Sequence, residues 1–154
     1  SLVLDADALN ALADDTALQT LLRARTARGL ATVLTPHPLE AARLLSVSAA
    51  QVRRLGPRLL QRPQQALIVT LGAEGAWIFT HTSEEFIPAT PTTVLDTTGA
   101  GDCFTGVLVA GLALGQVLPE AARRASRAAS IAVTRLGAAT SMPRVQELTA
   151  SDSH

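Results

Sequence analysis

The chain has 154 residues, with 13 acidic and 13 basic side chains, so its formal net charge is zero. This balance gives no reason to expect a partner that is nucleic acid or an anionic membrane. All 13 basic residues are arginine, and the lack of lysine excludes a Walker A phosphate loop and Schiff-base chemistry, since both need a lysine.

Apolar runs alternate with helical patterns along the chain, which predicts βαβ units and a mostly parallel sheet. The elements predicted in the first part are a strand at Leu2–Leu4, a loop, a helix over about Asp14 to Arg28, a strand at Ala31–Leu34, a helix at Pro38–Leu45 and a helix from about Ala49 to Leu60 capped by Ser48. The elements predicted after it are a hairpin of Leu67–Leu71 and Ala76–Thr80, short strands at Glu85–Pro88 and Thr93–Leu95, helices at Gly101–Leu114 and Glu120–Thr134, and a short helix at Arg144–Leu148. We expect residues 1–150 to form one domain and residues 151–154 to be a tail.

A glycine turn joins the predicted strand Thr93–Leu95 to a long apolar helix. Its two glycines let the backbone approach a ligand, and the N–H groups of Gly99, Ala100 and Gly101 at the helix start form an anion site. A carboxylate at Asp102 would repel a bound phosphate, and general-base chemistry beside a transferring phosphoryl group explains its presence. The residues alone leave open that Asp102 only caps the helix.

The eleven residues 96–106 read Asp-Thr-Thr-Gly-Ala-Gly-Asp-Cys-Phe-Thr-Gly, and they resemble the signature of the ribokinase (pfkB) family of small-molecule kinases. The resemblance implies that Asp102 deprotonates the substrate hydroxyl, and that the N–H groups of the turn form the anion hole for the phosphoryl group. It also implies a three-layer α/β ribokinase-like fold with a mostly parallel sheet. The chain would represent only the C-terminal, nucleotide-binding half of that fold.

Residues 69–76, which read Val-Thr-Leu-Gly-Ala-Glu-Gly-Ala, resemble the ribokinase segment that lies along the nucleotide. The resemblance implies that Thr70, Gly72 and Gly75 contact the phosphates and ribose of ATP or ADP. Taken alone, the segment is a hairpin turn. Near the adenine, the family carries an asparagine where this chain has Ser126.

Residues 131–143 resemble the ribokinase loop that surrounds a monovalent cation and closes the adenine pocket. The implied ligands are Asp96, Thr98, Gly137 and Ser141, and K⁺ is the candidate ion because it takes oxygen ligands. The alternative is a helix C-cap followed by a polar loop.

His37 and Glu40 lie where ribokinases carry an Asn-x-x-Glu motif, whose glutamate holds the water shell of Mg²⁺ at the nucleotide phosphates. His37 replaces the asparagine.

Residues 4–10 and 34–45 look more like the related NAD(P)H-hydrate dehydratases, so about the first sixty residues resemble a dehydratase and the remainder a ribokinase. Three polar side chains after the first strand either line a substrate or metal site or serve as caps and turn formers: Asp5, Asp7 and Asn10.

The sequence therefore predicts an ATP-dependent phosphotransferase acting on a sugar or similar small alcohol, or the catalytic fragment of one. The alternatives are a nucleotide-dependent NAD(P)H-hydrate dehydratase, which is a lyase, and a non-catalytic nucleotide-binding fragment or recombined chain. Because the chain starts within an apolar strand, we expect either a missing N-terminal half or a homo-oligomer. Cys103 is the single cysteine, which fits a reducing, cytoplasmic compartment. We expect no nucleic-acid or membrane partner.

Overall fold

The computed structural model describes residues 1–60 and 64–149, and the chain divides into two compact units, Ser1–Phe86 and Ile87–His154. The single domain expected for residues 1–150 stays a prediction, and the expected tail at residues 151–154 lies outside the described residues. Within the described residues, no helix is long and apolar enough to cross a membrane.

Five strands form one sheet in the order β1-β2-β3-β4-β5. They are β1 (Leu2–Leu4), β2 (Thr32–Leu34), β3 (Gln65–Thr70), β4 (Gly75–Phe79) and β5 (Glu84–Pro88). The β1–β2 and β2–β3 pairings are parallel, and β3 and β4 form the predicted antiparallel hairpin. The continuous apolar run in β3 is buried, as is typical of strands covered on both faces. The predicted α/β class and mostly parallel sheet are confirmed.

The helices of the first unit are α1 (Asp7–Asp14), α2 (Thr16–Ala27), α3 (Pro38–Leu45) and α4 (Val52–Leu55), and those of the second are α5 (Ala100–Ala113), α6 (Leu118–Ala132) and α7 (Val145–Thr149). The core of the first unit joins Leu9 and Leu12 of α1 to Leu34, Leu67 and Phe79 of the sheet. Burial of this apolar surface is the main source of stability for the unit.

The loop predicted after the first strand is wrong, because residues 7–14 form α1. Leu9 and Leu12 are buried in this helix, but two leucines spaced three residues apart within eight residues are too few to establish a helical period. The predicted start of the next helix at Asp14 is also wrong. Asp15 ends α1 and caps α2, since its carboxylate accepts hydrogen bonds from the N–H groups of Ala17 and Leu18 at 2.7 and 3.2 Å.

The continuous helix predicted over residues 49–60 is wrong as well. The structure has a 3₁₀ turn at Ala49–Gln51, then α4, then a second 3₁₀ turn at Gly56–Leu59. Pro57 lacks an N–H donor and crowds the residue before it, so the α-helical ladder cannot run through this point.

The strand predicted at Thr93–Leu95 does not form. Val94 and Leu95 are 51% and 63% exposed, which does not fit a strand buried in a sheet. The N–H groups of Leu95 and Asp96 instead donate to the carbonyl oxygen of Val133 at 2.8 and 3.2 Å. The C-terminal end of α6 therefore takes the hydrogen bonds that a neighbouring strand would otherwise supply.

In the second unit, α5 and α6 pack closely through small residues. A Cβ added at Gly111 would lie 2.5 Å from Oε1 of Gln116 and 3.0 Å from Cβ of Ala121. On the facing side of α6, Ala121, Ala125 and Ala128 are completely buried. Small side chains on both helices allow the two backbones to approach, so α5 is held along its length by α6.

Leu67 is completely buried in the core of the first unit, and this makes it a sharp test of the packing. We expect Leu67→Ala to lower the free energy of unfolding by about 2–5 kcal/mol, because it removes apolar contacts and leaves a cavity. Leu39→Ala is the control, since Leu39 is 69% exposed and its loss should change stability by no more than about 0.5 kcal/mol. Equal urea midpoints for the two variants would contradict this packing.

Candidate active site

The glycine turn predicted at the start of a helix is present at α5, although no strand directly precedes it. Gly99 is the N-cap residue and has φ of 76°, in the left-handed region that favours glycine. A Cβ at Gly99 would also lie 3.1 Å from Cβ of Ala138 and 3.4 Å from Cε of Met142. Both the backbone conformation and the space therefore require glycine at this position.

The turn leaves backbone donors available for an anion. Among the described residues, no hydrogen bond is formed by the N–H groups of Gly99, Gly101 or Asp102, whereas the N–H of Ala100 donates to the carbonyl oxygen of Thr97 at 3.2 Å. Unpaired N–H groups at a helix N-terminus carry the positive end of the helix dipole. The available donors thus include two of the three predicted ones, Gly99 and Gly101, and add that of Asp102.

Asp102 lies in the first turn of α5 with its side chain exposed. No side chain makes a capping hydrogen bond to this helix, so a hydrogen-bonded cap does not account for the aspartate. The neighbouring Cys103 is 3% exposed, and burial raises the pKa of its thiol. Cys103 is therefore a packing residue rather than a nucleophile, and the role of Asp102 as a base stays a prediction.

Asp96 connects the glycine turn to the loop that follows α6. Its carboxylate accepts hydrogen bonds from the N–H of Thr98 at 2.9 Å and from the N–H of Gly137 at 2.8 Å. Hydrogen bonds from Thr98, first from its side chain, and from Gly137 lower the pKa of Asp96 to about 2. The carboxylate is therefore ionised at neutral pH, and it fixes the positions of the turn and the loop relative to each other.

Three of the four predicted ligands of a monovalent cation are in direct contact, since Asp96 binds both Thr98 and Gly137. The fourth, Ser141, is 1% exposed, and its hydroxyl donates to the carbonyl oxygen of Ala138 at 2.7 Å. Because the proton of Ser141 is used in this bond, its oxygen lone pairs remain for a further partner. A carboxylate, a hydroxyl oxygen and loop carbonyls are the oxygen donors that a hard cation needs.

Ser126, predicted near the adenine, lies in the middle of α6. Its side chain is largely buried, and its carbonyl oxygen accepts a hydrogen bond from Oγ of Ser130 at 3.0 Å. It lies among fully buried alanines of the same helix, such as Ala125 and Ala128. The described contacts of Ser126 are those of a helix-packing residue, and its role toward a nucleotide stays a prediction.

His37 and Glu40 form a capping box at the start of α3. Nδ1 of His37 accepts hydrogen bonds from the N–H groups of Leu39 and Glu40 at 3.2 and 3.4 Å, and Oε2 of Glu40 accepts one from the N–H of His37 at 2.9 Å. Oε1 of Glu40 also lies 3.4 Å from Nε2 of His37. His37 thus performs the capping that Asn, Ser or Asp usually provides.

Within the first unit, the predicted nucleotide-contacting segment begins beside this capping box. The N–H of Thr70 donates to the carbonyl oxygen of Pro36 at 3.1 Å, which places the end of β3 next to the residue before His37. Gly72 and Gly75 have φ of 59° and 125°, so the turn between β3 and β4 requires glycine at both positions. The structure therefore brings Thr70 close to the start of α3.

The described residues contain no group of three or more His, Cys, Asp or Glu side chains that could hold a metal ion by themselves. Glu40 fits the alternative, in which one carboxylate holds a hydrated Mg²⁺.

Of the polar side chains after β1, Asn10 has a structural partner, since its Oδ1 accepts a hydrogen bond from Nη1 of Arg43 at 2.7 Å. That bond joins α1 to α3 and favours the structural interpretation of Asn10.

Thr98→Ala should raise the pKa of Asp96 from about 2 toward its ordinary value, because the hydroxyl of Thr98 is the largest cause of the lowered pKa. A lowered folded-state pKa stabilises the fold above the unfolded value of 3.8, and this stabilisation is lost as pH falls toward 2. A ¹³C NMR titration of the Asp96 carboxyl carbon measures the shift. Thr97→Ala is the control and should leave the titration unchanged; equal titrations in both variants would contradict the assignment.

Comparisons with known proteins agree with this geometry. The family model for pfkB family carbohydrate kinase matches residues 5–145. The ribokinase of Bacillus subtilis (strain 168) is 35% identical over 119 residues, which are 77% of this chain and 38% of that protein. An uncharacterized sugar kinase of Escherichia coli (strain K12), YegV, is 40% identical over 89 residues, or 58% of this chain and 28% of that one.

Among solved structures, the aminoimidazole riboside kinase of Salmonella enterica, complexed with aminoimidazole riboside and an ATP analog, has a TM-score of 0.73 and 29% identity. That alignment covers 99% of this chain and 52% of the kinase. A putative ribokinase II of E. coli in complex with ATP and Mg²⁺ has a TM-score of 0.69 and 28% identity, covering 77% of this chain and 38% of that one. The chain thus spans about half or less of these relatives. With a ribokinase-like fold and a family match over most of its length, it belongs to the pfkB family of carbohydrate kinases.

Proposed function

We propose that the chain is the nucleotide-binding, catalytic part of an ATP-dependent kinase that phosphorylates a sugar or similar small alcohol. The observation that carries this proposal is the start of α5, where unpaired backbone N–H groups and an exposed carboxylate occur within four residues, Gly99 to Asp102. Phosphoryl transfer needs donors for the developing negative charge and a base for the attacking hydroxyl. The turn supplies both kinds of group.

In the proposed reaction, the substrate hydroxyl oxygen attacks the γ-phosphorus of ATP, and the bond to the β-phosphate oxygen breaks to release ADP. Asp102 accepts the hydroxyl proton, so the phosphate ester forms without a free alkoxide. The N–H groups of Gly99 and Gly101 donate to the oxygens of the phosphoryl group as charge redistributes. Asp96 keeps these donors in position through its bonds to Thr98 and Gly137.

The chain's remaining candidate residues are assigned to the nucleotide and its ions. Thr70, Gly72 and Gly75 would contact ATP or ADP, and Glu40 would hold Mg²⁺ through its water shell. Mg²⁺ would neutralise phosphate charge, as expected of the ion in phosphoryl transfer. The relative solved with ATP and Mg²⁺ supports this assignment. We further propose K⁺ at the oxygen donors around Asp96 and Ser141, and a role for Ser126 near the adenine.

The substrate class and the rest of the enzyme are also part of the proposal. The kinase of known structure that aligns with 99% of this chain was solved with aminoimidazole riboside, which supports a substrate bearing a sugar hydroxyl. Since the chain covers 52% of that kinase, we propose that the substrate site needs a further half or a second copy. We propose a cytoplasmic location, where ATP is available.

Asp102→Asn should lower phosphoryl transfer from γ-³²P-labelled ATP to a sugar by about 10²-fold or more, because it removes the proposed base. The affinity for ATP, measured by calorimetry, should stay the same or rise, since the variant no longer places a negative charge beside the phosphates. Glu120→Gln is the matched control, because Glu120 is an exposed acidic residue in the first turn of α6. Retained transfer in Asp102→Asn would show that the aspartate is structural.

The lyase alternative is distinguished by its product. A kinase transfers ³²P from ATP to a sugar such as ribose, whereas a dehydratase restores absorbance at about 340 nm from hydrated NADH in the presence of ADP or ATP. We expect the first signal and not the second, because the turn reads Gly-Ala-Gly-Asp rather than the Gly-Gly-Thr-Gly-Asp usual in dehydratases. Absorbance recovery without sugar phosphorylation would reverse the assignment.

A further inference from the structure

Glu147 of α7 is held by arginines from three places in the second unit. Its carboxylate forms a two-armed ion pair with Arg135, which follows α6, and it also accepts a hydrogen bond from the N–H of Arg144 at 2.7 Å. Nη2 of Arg127, on α6 itself, donates to the carbonyl oxygen of Glu147 at 3.3 Å. The hydrogen bond from Arg135 is the main cause that lowers the pKa of Glu147, followed by the hydrogen bond from the N–H of Arg144.

The helix that carries Glu147 has only five residues, so it cannot persist without contacts from outside. Those contacts include the arginines around Glu147 and the burial of the next residue, Leu148, which is 7% exposed. Leu148 packs in a cluster with Cys103 of α5 and Ala128 and Ala132 of α6. The ion pair therefore helps to fix the helix whose apolar residue, Leu148, belongs to the same cluster as Cys103 in the first turn of α5.

The same cluster reaches the glycine turn from a second side. Met142 packs against the cluster, and its Cε lies 3.4 Å from the position that a Cβ on Gly99 would occupy. Cys103, which is in the cluster, donates its N–H to the carbonyl oxygen of Gly99 at 2.8 Å. A shift of α7 would loosen the packing of both Met142 and Cys103, and so would disturb the residues on either side of the turn's free N–H donors.

We propose that the Arg135–Glu147 pair is a positioning device for the glycine turn, acting through α7, Leu148 and Met142 on the donors that face the phosphoryl group. Because both side chains act through α7 in this proposal, both are positioning residues rather than catalytic ones. The catalytic consequence rests on the proposed kinase function, whereas the structural coupling does not. Both side chains are 36% exposed, and a pair at such a site adds little to global stability, so its loss should act locally.

Amide hydrogen exchange, followed by NMR, tests the coupling in the full chain without any substrate. Glu147→Gln should speed exchange of the Cys103 and Gly137 amides by about tenfold or more, because local opening of the turn and loop becomes easier. Arg135→Lys keeps the charge but loses the two-armed geometry and should give an intermediate effect. Glu84→Gln is the control, since Glu84 pairs with Arg53 at 3.9 Å in the other unit. Wild-type exchange rates at both amides in Glu147→Gln would overturn the proposal.

Steady-state kinetics measure how the loss of the ion pair changes phosphoryl transfer. At a temperature well below the melting points of both proteins, Glu147→Gln should lower kcat about fivefold or more while the KM for ATP changes less than about twofold, because the turn's donors matter most in the transition state. Faster amide exchange with an unchanged kcat would overturn the positioning role. If the wild-type chain transfers no phosphate, the further half that we propose for the substrate site is what is missing, and the exchange rates alone decide the coupling.

Discussion

The candidate site depends on one carboxylate, that of Asp96. It joins the glycine turn to a loop 41 residues further along the chain through N–H donors on Thr98 and Gly137. Both segments are irregular backbone, and irregular backbone needs side chains to satisfy its donors. An ionised carboxylate can accept several such bonds at once, which is why its pKa lies near 2. The turn is therefore fixed by charge-assisted hydrogen bonds rather than by a sheet.

That arrangement explains how an anion site can be built without lysine. The unpaired backbone N–H groups at the start of α5 depend on the left-handed conformation of Gly99 and on its close approach to Ala138. Every residue that holds the turn in this conformation therefore helps to keep these N–H groups available for an anion. The negative charge of Asp102 opposes anion binding at this place, and the proposed reaction accounts for it by using the carboxylate as a base beside the phosphoryl group.

Local patterns predicted most of the fold, and the strand expected at Thr93–Leu95 failed because a distant contact decided the outcome. Pro38 and Leu45 marked the ends of α3 correctly, and the glycines after β3 marked the hairpin. Thr93–Leu95 has the composition of a strand, yet its hydrogen-bond partner is the end of α6, which no local pattern reveals. The same limit holds in the site. Gly99 and Asp102 are visible as a motif, whereas the contact of Met142 with the turn and the pairing of Arg135 with Glu147 exist only in the folded chain.

His37 shows why a different residue at one position of a motif is weak evidence for a different reaction. The first turn of a helix needs an acceptor for its free N–H groups, and the unprotonated Nδ1 of His37 supplies it as a side-chain amide oxygen would. Glu40 then completes the box from the other side. In this chain the position therefore has a capping role, although its residue type differs from the ribokinase pattern. The chemistry of the protein is therefore better judged from the turn at Gly99–Asp102, whose groups face the reacting atoms in the proposed reaction, than from this helix cap.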